Sequence, residues 1–192
     1  MRASARSIEE FEARSRALRE RLGDRDFLRG KGLGNEVAIF MFCYDPALEL
    51  RARDLFSRLE ADESLPCRIV EKNLYDVMLD RLREKRLLDR MADFERRRGR
   101  EGVERQIRRI CTPEDFARAC AYEPREDGDV LLITGVGEAY PFVRLHTLLE
   151  SLQPLVSDVP IVASYPGRFD GKTLSLFGKL PAENYYRAFD LV

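Results

Sequence analysis

Hydrophobic residues along this chain gather into strand-sized runs separated by stretches of helical period. "EVAIFMFCY" (36–44), "DVLLITGVG" (129–137) and "VPIVASYP" (159–166) are nearly continuous apolar runs. Such runs suit parallel strands covered on both faces. "PCRIVEKNL" (66–74) is a further strand, and "TLSLF" (173–177) alternates apolar residues with hydroxyls at period two. Between them lie helical patterns. Ser7-Ile8-Glu9-Glu10 is a capping box that opens a helix over 8–22, with Ile8, Phe11, Leu18 and Leu22 on one face. Asp45-Pro46 starts the next helix, with Leu48, Ala52, Leu55, Phe56 and Leu59 as its apolar stripe. Asn73 caps a third helix, and Thr112-Pro113-Glu114-Asp115 caps a fourth. "EAYPFVRLHTLLESL" reads as one more helix, with Pro141 near its start.

Strand and helix therefore alternate, which predicts an α/β fold: three layers, a mainly parallel central sheet, a C-terminal hairpin and a charged helical insertion over about 74–122. At 192 residues the chain is expected to form a single domain, 1–192.

Composition adds limits. The chain is 35% charged with a formal net charge of −1, so no global field draws it to nucleic acid or membrane. Its apolar runs fall far short of a membrane span, and "MRASARSIEEFEARS" lacks an apolar signal core, so a cytoplasmic location is expected. Cys43, Cys67, Cys111 and Cys120 form no C-x-x-C pair and read as free thiols. With one histidine, His146, and no paired cysteines, no metal site is expected. Asp45, Glu138 and Asp170 could meet at one sheet edge, but turn and cap roles account for each.

Candidate chemistry is sparse. "YPGRFDGKTLSLFG" (165–178) ends its first half in Gly-Lys-Thr, like a phosphate-binding loop. The first glycine of that motif would fall at Pro166, and strand patterns flank the stretch on both sides. A hairpin turn therefore fits better. Gly135 and Gly137 would let backbone amides approach an anion, yet the third glycine of a dinucleotide fingerprint is replaced by Tyr140. Gly135, Gly137 and Lys172 are the cofactor-binding candidates of a degenerate nucleotide-binding reading, and no cofactor is expected. No serine sits in a G-x-S-x-G elbow, so no catalytic residue is assigned. Between Arg81 and Arg109 twelve Lys or Arg face six acids, a local net of +6, which makes Arg96, Arg97 and Arg98 the candidate nucleic-acid contacts.

The blocks "LLITGVGEAYPFVRLHTLLESLQ", "VPIVASYPGRFDGKTLSLFGKLP" and "NYYRAFDLV" resemble the signature blocks of the BrxB family of BREX bacteriophage-exclusion systems, and "EVAIFMFCYDP" fits too. The resemblance implies a non-enzymatic accessory subunit that binds other BREX proteins, with the phosphatase-like PglZ the leading partner. It carries no catalytic motif onto this chain. The expected contact surface is Glu138, Tyr140 and Arg144 together with Tyr185, Tyr186 and Arg187. These include aromatic and arginine types favoured at interface hot spots.

Overall fold

The computed structural model describes residues 3–30, 38–181, 183–184 and 188–191. The chain opens with α1 (Ala5–Leu22) and a short α2 (Arg25–Leu28), then enters β1 (Ile39–Tyr44). A 3-10 turn, Pro46–Leu48, leads into α3 (Glu49–Glu60) and β2 (Arg68–Asn73). Three helices follow: α4 (Leu74–Glu84), α5 (Met91–Ile110) and α6 (Pro113–Cys120). The chain then forms β3 (Asp129–Thr134), α7 (Val136–Ala139), α8 (Leu145–Leu152) and β4 (Ile161–Phe169). It ends in β5 (Thr173–Leu176), β6 (Glu183–Asn184) and β7 (Phe189–Asp190).

Strands run in the order β2-β3-β4-β1-β7, each pair parallel. β4 continues past the sheet into an antiparallel hairpin with β5, which pairs in turn with β6. Every residue of β1 and β3 is buried, as continuous apolar runs demand, whereas β2 at the edge is half exposed. Alternate strand side chains feed two cores. Phe40, Phe42, Tyr44, Leu132 and Val162 pack under α1 and α3. On the other face Met41, Ile133, Ile161 and Ala163 pack under α4, α6 and α8, together with Leu174 and Leu176 of the hairpin. The predicted α/β architecture, parallel sheet, hairpin and helical insertion are all present.

Local chemistry shifts three boundaries. α1 begins a turn earlier than its apolar stripe suggests, because the Ser4 side chain accepts the Ser7 amide at 3.0 Å. Ser7, expected to be the cap, lies inside the helix and donates its hydroxyl to Asp45 Oδ2 at 2.9 Å. The helix expected over "EAYPFVRLHTLLESL" divides into α7 and α8. Pro141 disfavours helical dihedrals at the residue before it, and Tyr140 is extended (φ −67°, ψ 140°). Within the charged insertion, Gly99 (φ 68°, ψ 173°) breaks α5 into two helical arms.

Candidate functional site

Because β3, β4 and β1 are adjacent and parallel, their carboxyl ends bring together the loops after Tyr44, Thr134 and Pro166. That is where open α/β sheets hold ligands. The two glycines of the middle loop have local reasons to be glycine. Gly135 is left-handed (φ 69°), and a Cβ there would stand 2.2 Å from Asn73 Oδ1, the atom that caps α4. A Cβ on Gly137 would meet the Phe177 ring at 2.9 Å and Pro166 Cγ at 3.1 Å. Lys172 is exposed in the turn of the β4–β5 hairpin. There the Asp170 carboxylate accepts the Lys172 and Thr173 amides at 2.9 and 2.7 Å, which lowers its pKa. Lys172 therefore belongs to a turn built by Asp170-Gly171.

The predicted contact residues divide between two places. Glu138 points back under α3, where its carboxylate pairs with Arg53 at 2.6 Å. Arg53 also donates to Glu49 at 3.2 Å, and Glu49 accepts the Tyr44 hydroxyl at 2.7 Å. Ser164 donates to Tyr44 at 3.4 Å, and Thr134 donates to Glu71 close by. This chain of contacts lines a cavity of about 200 Å³ and ties α3 to α7 and the sheet. Burial, and then Glu49, push the Tyr44 phenol up, so it stays a neutral donor. Only Glu138 of this group was predicted. The available signal was polar residues, Tyr44, Thr134 and Ser164, ending or interrupting apolar strands.

Tyr140 and Arg144 lie on the other side, along a groove of about 350 Å³ between the 136–146 segment and the hairpin. Val136, Val143, Leu174, Leu176 and Leu180 make its wall apolar, and His146 sits beside Arg144 at its rim. Tyr140 and Arg144 are 30 or more residues before Leu174, Leu176 and Leu180, so only folding brings the groove's two sides together. Nearby, Arg108 donates to the Pro141 carbonyl at 3.2 Å and lies over the Phe142 ring, fixing the segment before α8. Tyr185, Tyr186 and Arg187 lie outside the described residues.

Among the described residues, no group of three or more His, Cys, Asp or Glu is placed to hold a metal ion. Asp45 caps Ala47 and accepts Ser7, Glu138 pairs with Arg53, and Asp170 closes the hairpin turn. Burial pushes the Cys43 and Cys120 thiols up to about 12 and Cys111 up to about 11, far from nucleophilic thiolates. No described helix is long and apolar enough to cross a membrane.

The arginine-rich segment stands out from the body. Residues 95–101 are exposed throughout. Arg96 pairs with Asp93, Arg105 with Glu101 at 3.6 Å and Arg108 with Glu104 at 2.9 Å. Arg97, Arg98 and Arg100 make no such pair among the described residues.

A family model described as BREX protein BrxB matches residues 70–191, from β2 to the end of β7. Two curated relatives carry the same description. The one from Bacillus cereus (strain H3081.97) is 37% identical over 179 residues, covering 90% of this chain and 92% of the relative. The one from Escherichia coli O9:H4 (strain HS) is 31% identical over 187 residues, covering 95% and 92%. No solved structure matches.

Proposed function

We propose, because this chain belongs to the BrxB family and is a component of a BREX system, that it serves as a non-enzymatic assembly subunit that binds PglZ through the groove beside Tyr140 and Arg144. The observation that carries this reading is the groove itself. It is concave and apolar, rimmed by an arginine and a tyrosine, and built within the span that the family model matches. A protein partner would place an aromatic or aliphatic anchor against Val143, Leu176 and Leu180, with Arg144 at the rim supplying a charge-assisted hydrogen bond. High-pKa buried thiols and a Tyr44 phenol held neutral support the non-enzymatic part of the reading.

The test is affinity capture of the tagged chain from cells expressing the whole operon, followed by mass spectrometry. PglZ is expected in fixed ratio with the wild type. Leu180→Glu and Arg144→Glu, both at partly or fully exposed positions, should reduce that capture at least tenfold while leaving the circular dichroism unchanged. PglZ recovered equally with both variants would remove the groove from the interface. Absence of PglZ from the wild-type capture would remove the partner.

One observation favours a second contact. Arg97, Arg98 and Arg100 flank the Gly99 break, are exposed and have no acidic partner among the described residues, a charge arrangement suited to a phosphate backbone. That reading requires DNA binding that weakens steeply with salt and is lost in the Arg96→Glu, Arg97→Glu, Arg98→Glu triple variant.

A further inference from the structure

A second cavity, about 860 Å³, is separate from the groove. It opens where two neighbouring strands send the chain to opposite faces. β1 passes through Asp45-Pro46 to α3 on one side, while β4 runs on into the hairpin packed on the other. Such a divergence leaves a crevice at the carboxyl end of the sheet, the place where α/β proteins hold small ligands. Here α1 forms one wall through Ser4, Arg6, Ser7, Glu10, Phe11 and Arg14. The opposite wall is Gly167 to Phe169 and Phe177 to Lys179. The volume falls within the range usual for small-molecule sites, about 300–1,000 Å³.

Charge in this crevice is unequally neutralised. Among the described residues four cations line it, Arg6, Arg14, Arg168 and Lys179, against three carboxylates, Glu10, Asp45 and Asp190. All three carboxylates are engaged: Glu10 by Arg6 at 2.8 Å, Asp190 by Arg14, and Asp45 by the Ser7 hydroxyl and the Ala47 amide, each at 2.9 Å. Among the described residues Arg168 and Lys179 are left without an acidic partner on the wall opposite α1. The wall also holds a conformational cost. Phe177 is a non-glycine residue in the left-handed region (φ 58°), followed by Gly178 (φ 62°). Backbone of this kind is retained where the surroundings over-determine it, commonly at ligand sites. Phe169 and Phe177 are both half buried and give the same wall an apolar portion.

We propose that this crevice binds a phosphate-bearing small molecule of nucleotide size. Its phosphates lie between Arg168 and Lys179, and its planar apolar part lies against Phe169 and Phe177. The site is distinct from the Gly135–Gly137 loop, and the assignment does not depend on the partner proposed for the groove.

The experiment is isothermal titration of the full-length protein with ATP, AMP and inorganic tripolyphosphate, with and without magnesium, repeated on an Arg168→Ala, Lys179→Ala double variant. Both residues are exposed, and circular dichroism checks that the variant keeps its fold. Saturable binding of ATP is expected, tighter than tripolyphosphate and at least tenfold weaker in the double variant. Heat-silent titrations are repeated as thermal shifts at millimolar ligand. No saturable response to any of the three compounds in either assay would overturn the proposal, as would ATP binding that the double variant leaves unchanged. Tripolyphosphate binding as tightly as ATP would overturn the role given to the two phenylalanines.

Discussion

Arg68 and Asp129 begin adjacent strands in register, and removing the arginine tests how the open edge of the sheet is held. Asp129 is 1% exposed and accepts four hydrogen bonds. Two come from Arg68 Nε and Nη2 at 2.8 and 2.6 Å, one from the Tyr122 hydroxyl at 3.1 Å and one from the Glu126 amide at 3.1 Å. Arg68→Ala leaves a buried carboxylate with only the two neutral donors. Breaking a fully buried pair costs about 3–5 kcal/mol. Half of the Arg68 side chain is exposed, so solvent already screens it, and water would enter the space it vacates. With two donors retained, a loss of about 2 kcal/mol is expected, worth roughly 4–8 °C in a domain of this size.

The pH dependence follows from the same contacts. Arg68 foremost, against the opposing effect of burial, holds the Asp129 carboxyl below the usual carboxylate range. Its contribution to wild-type stability is therefore complete above the unfolded pKa of about 4 and is lost as pH falls through the lower folded value. In the variant the largest lowering contact is gone, so its carboxyl takes up a proton at higher pH than the wild type's. The gap between the two proteins should then narrow on acidification, as the variant's carboxyl is protonated first and the wild type's later. Urea denaturation followed by far-ultraviolet circular dichroism at a series of pH values reads this directly, and the chain has no tryptophan to use in its place. Carboxylates shared by both proteins cancel in the difference. A gap below about 0.5 kcal/mol at pH 7, against the roughly 2 kcal/mol worked out above, would refute the reasoning. So would a gap that does not change with acid.

Gly137→Ala should destabilise by about 1–3 kcal/mol in urea, because the new methyl meets Phe177 and Pro166 inside contact distance. Gly135→Ala should cost more, since it combines a left-handed φ with a methyl driven into the Asn73 cap. With Ellman's reagent at pH 8, Cys67, the half-buried thiol, should react first and slowly, its pKa raised by burial. Cys43, Cys111 and Cys120 should react only on adding denaturant, and four fast thiols in the native protein would contradict their burial. Asn73→Ala should destabilise by about 1 kcal/mol, because its side chain accepts the Tyr75 and Asp76 amides at the start of α4.

Much of the architecture follows from sequence because it rests on short-range rules. The runs at β1, β3 and β4 are apolar on both faces, and only a sheet covered on both sides buries every residue of such a run. Asn73 and Thr112 cap helices through contacts two and three residues away, so their roles are readable from spacing. Local signals also mislead where two compete. Ser4 and Ser7 both suit an N-cap, and the tertiary contact of Ser7 with Asp45 assigns the role to Ser4. Pro141 fits an early helical position equally well as a break, and the break prevailed.

The sites were legible only in part. Tyr140 and Arg144 could be named from residue type, but the groove that makes them meaningful needs Leu174, Leu176 and Leu180 from a hairpin 30 or more residues later. Glu138 was grouped with them by proximity in sequence, whereas the turn after β3 aims it at Arg53. The crevice between β1 and β4 was not foreseeable at all. Its walls come from residues 4–14, 43–46 and 167–179, and its unbalanced charge emerges only when Asp190 is seen to engage Arg14. The sequence by itself determined which segments become strands and helices and which of their faces are apolar, because burial period and capping act within a few residues. Strand order, the direction in which each strand hands on the chain, and therefore every cavity and pairing of charges, were decided by tertiary structure. Those depend on contacts between residues far apart in the chain, which no local pattern encodes.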